Sequence, residues 1–310
     1  MRVYSILPGA LGITLAMRAV IDIGSNSVLL LVASRDERGA LTIVRDEATV
    51  ARVSEGAAAR GTLLPEAIER TLAVLRRYRE LASAEGVEQI TAVATEGLRM
   101  ASNAEQFLAP AGEILGSSVR IISGDEEARL SYRSVALEQA KPEPLRVIDI
   151  GGASTELVCG RGLEIDEAIS HRLGSVRISE ALQDGYPPSA KAIEAMYTHA
   201  LEVLAAQPLA PHPQLHGLAG TVTTAAGVLL GLERYDRTRV DGSSVSVEQL
   251  RALRDRLATL SLPELQAIPL IGVGRADVVV GGVTILLAAL EHCGASTLIV
   301  RDRGLRYALL

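Results

Sequence analysis

The sequence predicts an α/β protein built from two similar domains with a cleft between them, and three observations lead there. Strand-like and helix-like patterns alternate from Met17 onward. A strand, a polar turn and a second strand open the pattern as "RAVIDIGSNSVLLLVASRD", and the unit returns half a chain later as "RVIDIGGASTELVCG". Between the copies, "EQAKPEPL" at 138–145 breaks the pattern with two prolines and charges, which marks a seam. Self-similarity on this scale indicates duplicated domains rather than a solenoid of short repeats. With 310 residues and 48% hydrophobic content, each half has the means for a substantial core.

The elements follow in order. "RAVIDIG", "VLLLVASRD" and "LTIVRDEA" read as three strands, the last two joined by the hairpin signal "RDERGA". "PEAIERTLAVLRRYRELASAEGV" reads as an amphipathic helix, with Ile68, Leu72, Leu75 and Leu81 on its apolar side, Pro65 ahead of it and Gly86 after it. "ITAVAT" is a strand, "EGLRMASNAEQFLAPAGEIL" is mostly helix and "VRIIS" is a strand. The apolar run "ADVVVGGVTILLAALEHCG" has 13 uninterrupted residues between Asp277 and Glu291, short of the roughly 20 a bilayer requires, so it reads as a buried helix ending at Gly294. Residues 1–16 are broken by Pro8, Gly9 and Gly12 and read as an extension ahead of a natural start at Met17 rather than a secretory signal. The expected domains are therefore 17–142 and 143–310, with the last helix free to cross back to the first.

A net charge of −6 and a pI near 5.5 argue against nucleic acid or an anionic membrane as partner, since both select basic surfaces. A small anionic substrate needs only local positive charge. Lys141 and Lys191 are the only lysines, so arginine carries nearly all of it. Cys159 and Cys293 have no His or Cys at metal-ligand spacing around them, and a reduced, cytoplasmic chain is expected. A homodimer stays open on general grounds only.

Each turn, "DIGSNS" and "DIGGAST", puts an acid at the end of a buried strand and follows it with small polar residues. Glycine lets backbone approach a ligand closely, and hydroxyls with consecutive N–H groups can surround a phosphate oxygen. Two such turns opening parallel halves suit a polyphosphate held in the cleft by Ser25, Asn26 and Ser27 on one side and Gly151, Gly152, Ala153, Ser154 and Thr155 on the other. Asp149 and Glu156 lie seven positions apart across the second turn, where a hairpin folds both towards one phosphate as hard ligands for Mg2+ or another divalent cation. Asp22 is the equivalent acid of the first half and an outer-shell partner for that ion. In "SGDEEARL", Ser123 and Glu126 have the spacing of a capping box at a helix start, which leaves Glu127 as the uncommitted carboxylate. Arg129 has an acid one helical turn before it, and "AGTVTTAAG" at 219–227 suits either a phosphate or nucleoside contact or close helix packing.

The paired turns resemble the two phosphate loops of the superfamily that joins acetate and sugar kinases, heat-shock chaperones and actin. Within it the chain is most similar to the exopolyphosphatase / guanosine pentaphosphate phosphohydrolase family. "VATEGLRMASNAEQFL", "IISGDEEARLSY", "VIDIGGASTELV", "HRLGSVRISE", "GLAGTVTTAAG" and "LIVRDRGLRYALL" occur in the family's order. The resemblance implies two ribonuclease-H-like, actin-like domains in a short two-domain form, and hydrolysis of a terminal phosphoanhydride. It implies Glu127 as the base that activates water, Asp149 and Glu156 as metal ligands, and Arg99 and Arg177 as phosphate ligands. Inorganic polyphosphate is the expected substrate and guanosine pentaphosphate the rival; an ATP-dependent kinase and a non-enzymatic nucleotide-binding module are the readings from other classes. Two places depart from the family. Ala153 stands where a third glycine is usual, and "VRDRGLRYALL" replaces a block with Ser-Asp before its glycine and Arg-Glu-Gly after it.

Overall fold

The computed structural model describes residues 16–36, 40–206 and 211–310, so the expectation about the N-terminal extension falls almost wholly outside the described residues. The chain runs through β1 (Arg18–Ile23), β2 (Ser27–Arg35), β3 (Leu41–Val50), α1 (Ala57–Arg60), α2 (Pro65–Ala84), β4 (Ile90–Ala94), α3 (Glu96–Arg99), α4 (Glu105–Leu115), β5 (Val119–Ile121) and α5 (Gly124–Ala136). It continues through β6 (Pro144–Ile150), β7 (Thr155–Arg161), β8 (Glu164–His171), α6 (Ser175–Leu182), α7 (Ala190–Ala205), β9 (Gln214–Leu218), α8 (Ala219–Leu229), α9 (Arg237–Val240) and β10 (Ser244–Ser246). Then come α10 (Val247–Leu257), α11 (Leu262–Ala267), α12 (Gly272–Arg275), α13 (Val279–His292), β11 (Thr297–Val300) and a closing 3-10 turn, Leu305–Tyr307.

Two sheets result. The first has the order β3-β2-β1-β4-β5 and the second β10-β11-β9-β6-β7-β8. In each, an opening hairpin pairs antiparallel, β1 with β2 and β6 with β7, and its first strand then pairs parallel with a later one, β4 or β9. The duplicated sequence thus folds into duplicated topology, with β10 added at one edge of the second sheet.

Apolar pattern explains which helices sink. α13 is apolar all round, and every residue from Val279 to Leu290 is buried; Gly294 at φ +60 then ends it, a backbone conformation glycine adopts without strain. α2 buries one side, Ile68, Leu72, Leu75 and Tyr78 among it, after Pro65 has set its first turn. The expected helix over 96–115 is split into α3 and α4. Asn103 accepts a hydrogen bond from the Leu63 N–H at 2.7 Å and donates to the Leu63 carbonyl at 3.1 Å, a side-chain competition that interrupts helix. No described helix is long and apolar enough to cross a membrane.

Two connections position the site. α5 precedes the 138–145 seam in sequence, but its Ala128, Tyr132 and Val135 pack with Val147, Val158 and Leu218 of the second sheet. The C-terminal segment crosses back to the first domain as a 3-10 turn rather than a helix: Leu305 packs with Val93 and Ile122. Arg306 and Tyr307 reach Asp46 on β3, and Arg18 donates to the Leu310 carbonyl.

Candidate active site

The second hairpin sets Asp149 directly opposite Glu156, and β8 sets Ser170 opposite Glu156. Residues directly opposed on antiparallel strands project from the same face, so two acids and a hydroxyl share one face of the sheet. α5 lies on that sheet. Glu127 and Ser131, one helical turn apart, are both buried on it. Ser131 Oγ donates to Asp149 Oδ2 at 2.7 Å and Ser170 Oγ to Glu156 Oε1 at 2.8 Å. At the start of α5, Ser123 Oγ accepts from the Glu126 N–H at 3.1 Å. The return bond of the expected capping box is absent, because both carboxylate oxygens of Glu126 take Arg120 at 2.6 and 2.7 Å. Arg129 is likewise committed, to Asp125 at 2.8 Å.

The two glycine turns are built alike. Gly24 N–H donates to the Ser27 carbonyl and Gly151 N–H to the Ser154 carbonyl, each at 3.0 Å. The carbonyls of Ser25 and Asn26 are taken by Ser54, Ala51 and Arg52, and those of Gly151 and Gly152 by Ser175, Val176 and Arg177. With the carbonyls committed on that side, the remaining N–H groups are the donors left for an anion. The turns face each other: a Cβ on Gly152 would stand 3.2 Å from Ser25 Cβ and 3.5 Å from Asn26 Cβ. A cavity of about 90 Å³ opens beside them, lined by Ser25, Asn26, Arg52, Val176, Tyr186 and Asp277. Ala153 is not among the residues at positive φ, so its methyl group costs this turn no backbone strain.

Arg99 Nη1 donates to the Ile122 carbonyl at 2.5 Å, and its Nη2 pairs with Glu96. Arg177 Nε donates to the Ala153 carbonyl at 2.9 Å, which ties this guanidinium to the second turn. Thr155 is fully buried and gives its hydroxyl to the Leu173 carbonyl, so its contribution is support for the turn. Ser27 opens β2 and is tied into the first turn by its carbonyl.

Electrostatics set this place apart. Burial, then the neighbouring Asp149 charge, pushes Asp22 up to about 7 against the opposing pull of Arg306. Burial, then Asp149, pushes Glu156 up to about 8, with Ser170, Ser154 and Arg99 acting the other way. Glu127 is held well above the usual carboxylate range, first by burial and then by Glu156, Asp149 and Asp22; Asp149 is raised by burial and lowered by Ser131 and Arg306. Asp149 keeps partial exposure, whereas Asp22, Glu127 and Glu156 are 9%, 8% and 1% exposed. Four acids whose charges act on one another in a buried cleft are costly for folding, and such arrangements mark functional sites.

Among the described residues no group of three or more His, Cys, Asp or Glu side chains forms a ready cage for a metal ion. What the site offers is the Asp149–Glu156 pair together with two buried oxygens that lack a partner, Asp22 Oδ1 and Glu127 Oε2. This donor set fits magnesium, which takes one or two carboxylates and completes its shell with water and phosphate oxygens.

Sequence reasoning passed over Ser131, Ser170, Glu96 and Arg306. The first two are ordinary serines until the sheet register and α5 bring them to the acids. Arg306 lies 157 positions from Asp149, and only the crossing C-terminal turn brings its charge to bear on both aspartates. The block "LIVRDRGLRYALL", shared in order with the family, was the available signal.

Two actin-like domains, a glycine turn at the head of each and buried acids in the cleft define a phosphoryl-transfer protein of the actin-like ATPase superfamily. Residues 31–310 match the model of the Ppx/GppA phosphatase family, and the chain belongs to that family of phosphoanhydride hydrolases. It is 33% identical over 281 residues to exopolyphosphatase 2 of Mycobacterium tuberculosis, covering 86% of this chain and 88% of that one. The crystal structure of the Aquifex aeolicus member of the Ppx/GppA family superposes with a TM-score of 0.80 at 31% identity, over 95% of this chain and 96% of that one. An exopolyphosphatase from Cytophaga hutchinsonii, at 23% identity and a TM-score of 0.85 over 94% of this chain and 96% of that one, shares the fold.

Proposed function

We propose that the protein is an exopolyphosphatase that hydrolyses the terminal phosphoanhydride of inorganic polyphosphate and releases orthophosphate, with a divalent cation. The observation that carries this reading is the opposed pair Asp149–Glu156, sunk with Asp22 and Glu127 beside two equivalent glycine turns. The name of the M. tuberculosis relative supports polyphosphate as substrate.

In this reading Ser25, Asn26 and Ser27 of the first turn and Gly152, Ala153 and Ser154 of the second hold the terminal phosphoryl oxygens, Gly151 and Thr155 fix the second turn from within the fold, and Arg99 and Arg177 offset the phosphate charge. Magnesium, held by Asp149 and Glu156 with Asp22 in the outer shell, would neutralise charge on the phosphate oxygens. Glu127 Oε2, unpartnered within the fold, orients water and accepts its proton. A carboxylate raised towards neutrality is a stronger base once ionised, which suits that role. As the water oxygen bonds to the terminal phosphorus, the bridging P–O bond breaks and the shortened chain departs with the electron pair. Free Cys159 and Cys293 support a reducing, cytoplasmic setting.

Guanosine pentaphosphate would engage the same acids, so phosphate release from it and from long-chain polyphosphate should be measured side by side, with and without magnesium. Cation-dependent release that is faster from polyphosphate supports the reading. Release from the pentaphosphate alone moves it to that substrate, and phosphate transfer from ATP to a small acceptor replaces it with a kinase.

A further inference from the structure

Glu96 is a buried carboxylate, 6% exposed, at the first position of α3. Three guanidinium groups surround it, from both domains. Arg99 Nη2 pairs with its Oε2; Arg172 Nε and Arg177 Nη2 approach its Oε1 at 3.6 and 3.8 Å. Arg99 belongs to the first domain with Glu96, whereas Arg172 and Arg177 follow β8 and enter α6 in the second. The two second-domain arginines also share one sulfur: Arg177 Nη2 lies 2.8 Å and Arg172 Nη2 3.4 Å from Met100 Sδ, just after α3.

α3 itself is fixed under the first glycine turn. Thr95 N–H donates to the Ile23 carbonyl at 3.3 Å, and a Cβ on Gly97 would stand 2.6 Å from Ser25 Oγ. Glu96 therefore occupies a rigid place beside that turn. From there it fixes one face of Arg99 while the Ile122 carbonyl fixes the other, and Arg99 Nη2 ends near α5, 3.6 Å from where a Cβ on Gly124 would lie. Three like-charged guanidinium groups repel one another, and Glu96 is the carboxylate within ion-pair distance of all three.

We propose that Glu96 is a positioning residue: it gathers Arg99, Arg172 and Arg177 across the cleft into one phosphate subsite and acts on the substrate only through them. Neither the role of Glu96 nor that of Arg172 follows from the pattern of the glycine turns. The kinetic part of this inference rests on the polyphosphatase reading; the binding part does not.

The test is a double-mutant cycle of Glu96→Gln and Arg99→Ala, with Glu96→Asp as the conservative control, each variant first checked for a native thermal transition. Two quantities are measured: KM and kcat for phosphate release from polyphosphate, and the Kd for inorganic phosphate by calorimetry. A residue acting through Arg99 together with Arg172 and Arg177 predicts that Glu96→Gln raises KM and phosphate Kd about tenfold with kcat changed less, that Glu96→Asp recovers much of both, and that Glu96→Gln costs clearly less in the Arg99→Ala background than in the wild type. Additive losses, or an unchanged KM and Kd in Glu96→Gln, would overturn the proposal. Should the wild-type protein release no phosphate from any polyphosphate, the exopolyphosphatase reading fails, and the Kd cycle still decides the role of Glu96.

Discussion

Asp22 and Asp149 hold the same place in two copies of one hairpin but face different partners: Leu29 stands opposite Asp22, and Glu156 stands opposite Asp149. The copies keep the strand, the turn and its internal hydrogen bond, and they differ in whether the opposed position carries a second acid. Cross-strand like charges destabilise a sheet, so an acid pair in one copy and not the other is a specialisation of the second domain. The first hairpin contributes a turn and a single acid.

The buried acids make stability depend on pH in a defined direction. Asp22 and Glu156 have folded-state values raised to about 7 and about 8 by burial, above those of the unfolded chain. Between the unfolded and folded values the folded state holds more protons, so stability present at low pH is lost as pH rises from about 4 to about 8. In the presence of a chelator the melting temperature should fall by at least about 2–4 °C between pH 5.5 and pH 8, and millimolar magnesium should reverse the fall. A flat profile in chelator would contradict the burial of these acids.

Ser131 orients Asp149 with a 2.7 Å hydrogen bond from α5. Removing a group that orients a metal-binding carboxylate typically costs 10–100-fold in metal affinity, so Ser131→Ala should require roughly that much more magnesium for half-maximal activity. Titration of activity against magnesium measures it. An unchanged requirement would separate Asp149 from the cation.

The second turn has no room behind it. A Cβ on Gly174 would lie 2.4 Å from the carbonyl carbon and oxygen of Gly152 and 2.5 Å from Ala153 N, all backbone atoms. Gly174→Ala must therefore displace the turn, with an expected loss of about 1–3 kcal/mol in denaturant unfolding and a weakened KM. Gly185→Ala, where the nearest atom is Pro187 O at 3.7 Å, should leave both quantities unchanged and serves as the control.

Arg52 and Asp277 join the two domains at the cavity, with guanidinium nitrogens at 2.6 and 2.5 Å from the two carboxylate oxygens. The Arg52 N–H also donates to the Asn26 carbonyl at 2.9 Å, so the pair links the first turn to the second domain. Both side chains are partly exposed, and a cycle of Arg52→Ala and Asp277→Ala should give a coupling of only about 0.5–1 kcal/mol, smaller at high salt. Loss of either should raise KM more than it lowers kcat. Coupling that does not respond to salt would contradict an ion pair open to solvent.

Much of the fold was legible because the two hairpins repeat with their turns intact and because α13 is apolar on every side. The proposed acids were legible in part, since hairpin register relates Asp149 to Glu156 and the likeness of "SGDEEARL" to the family's block points to Glu127. What escaped was long-range. α5 packs beyond the proline seam, on the second sheet. Arg306 arrives by a C-terminal turn whose Arg306 and Tyr307 are fixed by Asp46. Glu96 looks like an ordinary first-turn helix acid until arginines from the other domain close around it.

The most direct test of the account is steady-state phosphate release from long-chain polyphosphate with magnesium, by the wild-type protein and by Glu127→Gln, with polyphosphate binding measured on both. The substitution keeps the shape of the side chain and removes its capacity to accept a proton, so release should fall by about 10²–10⁴-fold while the dissociation constant stays within a few-fold. Release by Glu127→Gln at the wild-type rate would show that another group activates the water and would overturn the assignment at its centre.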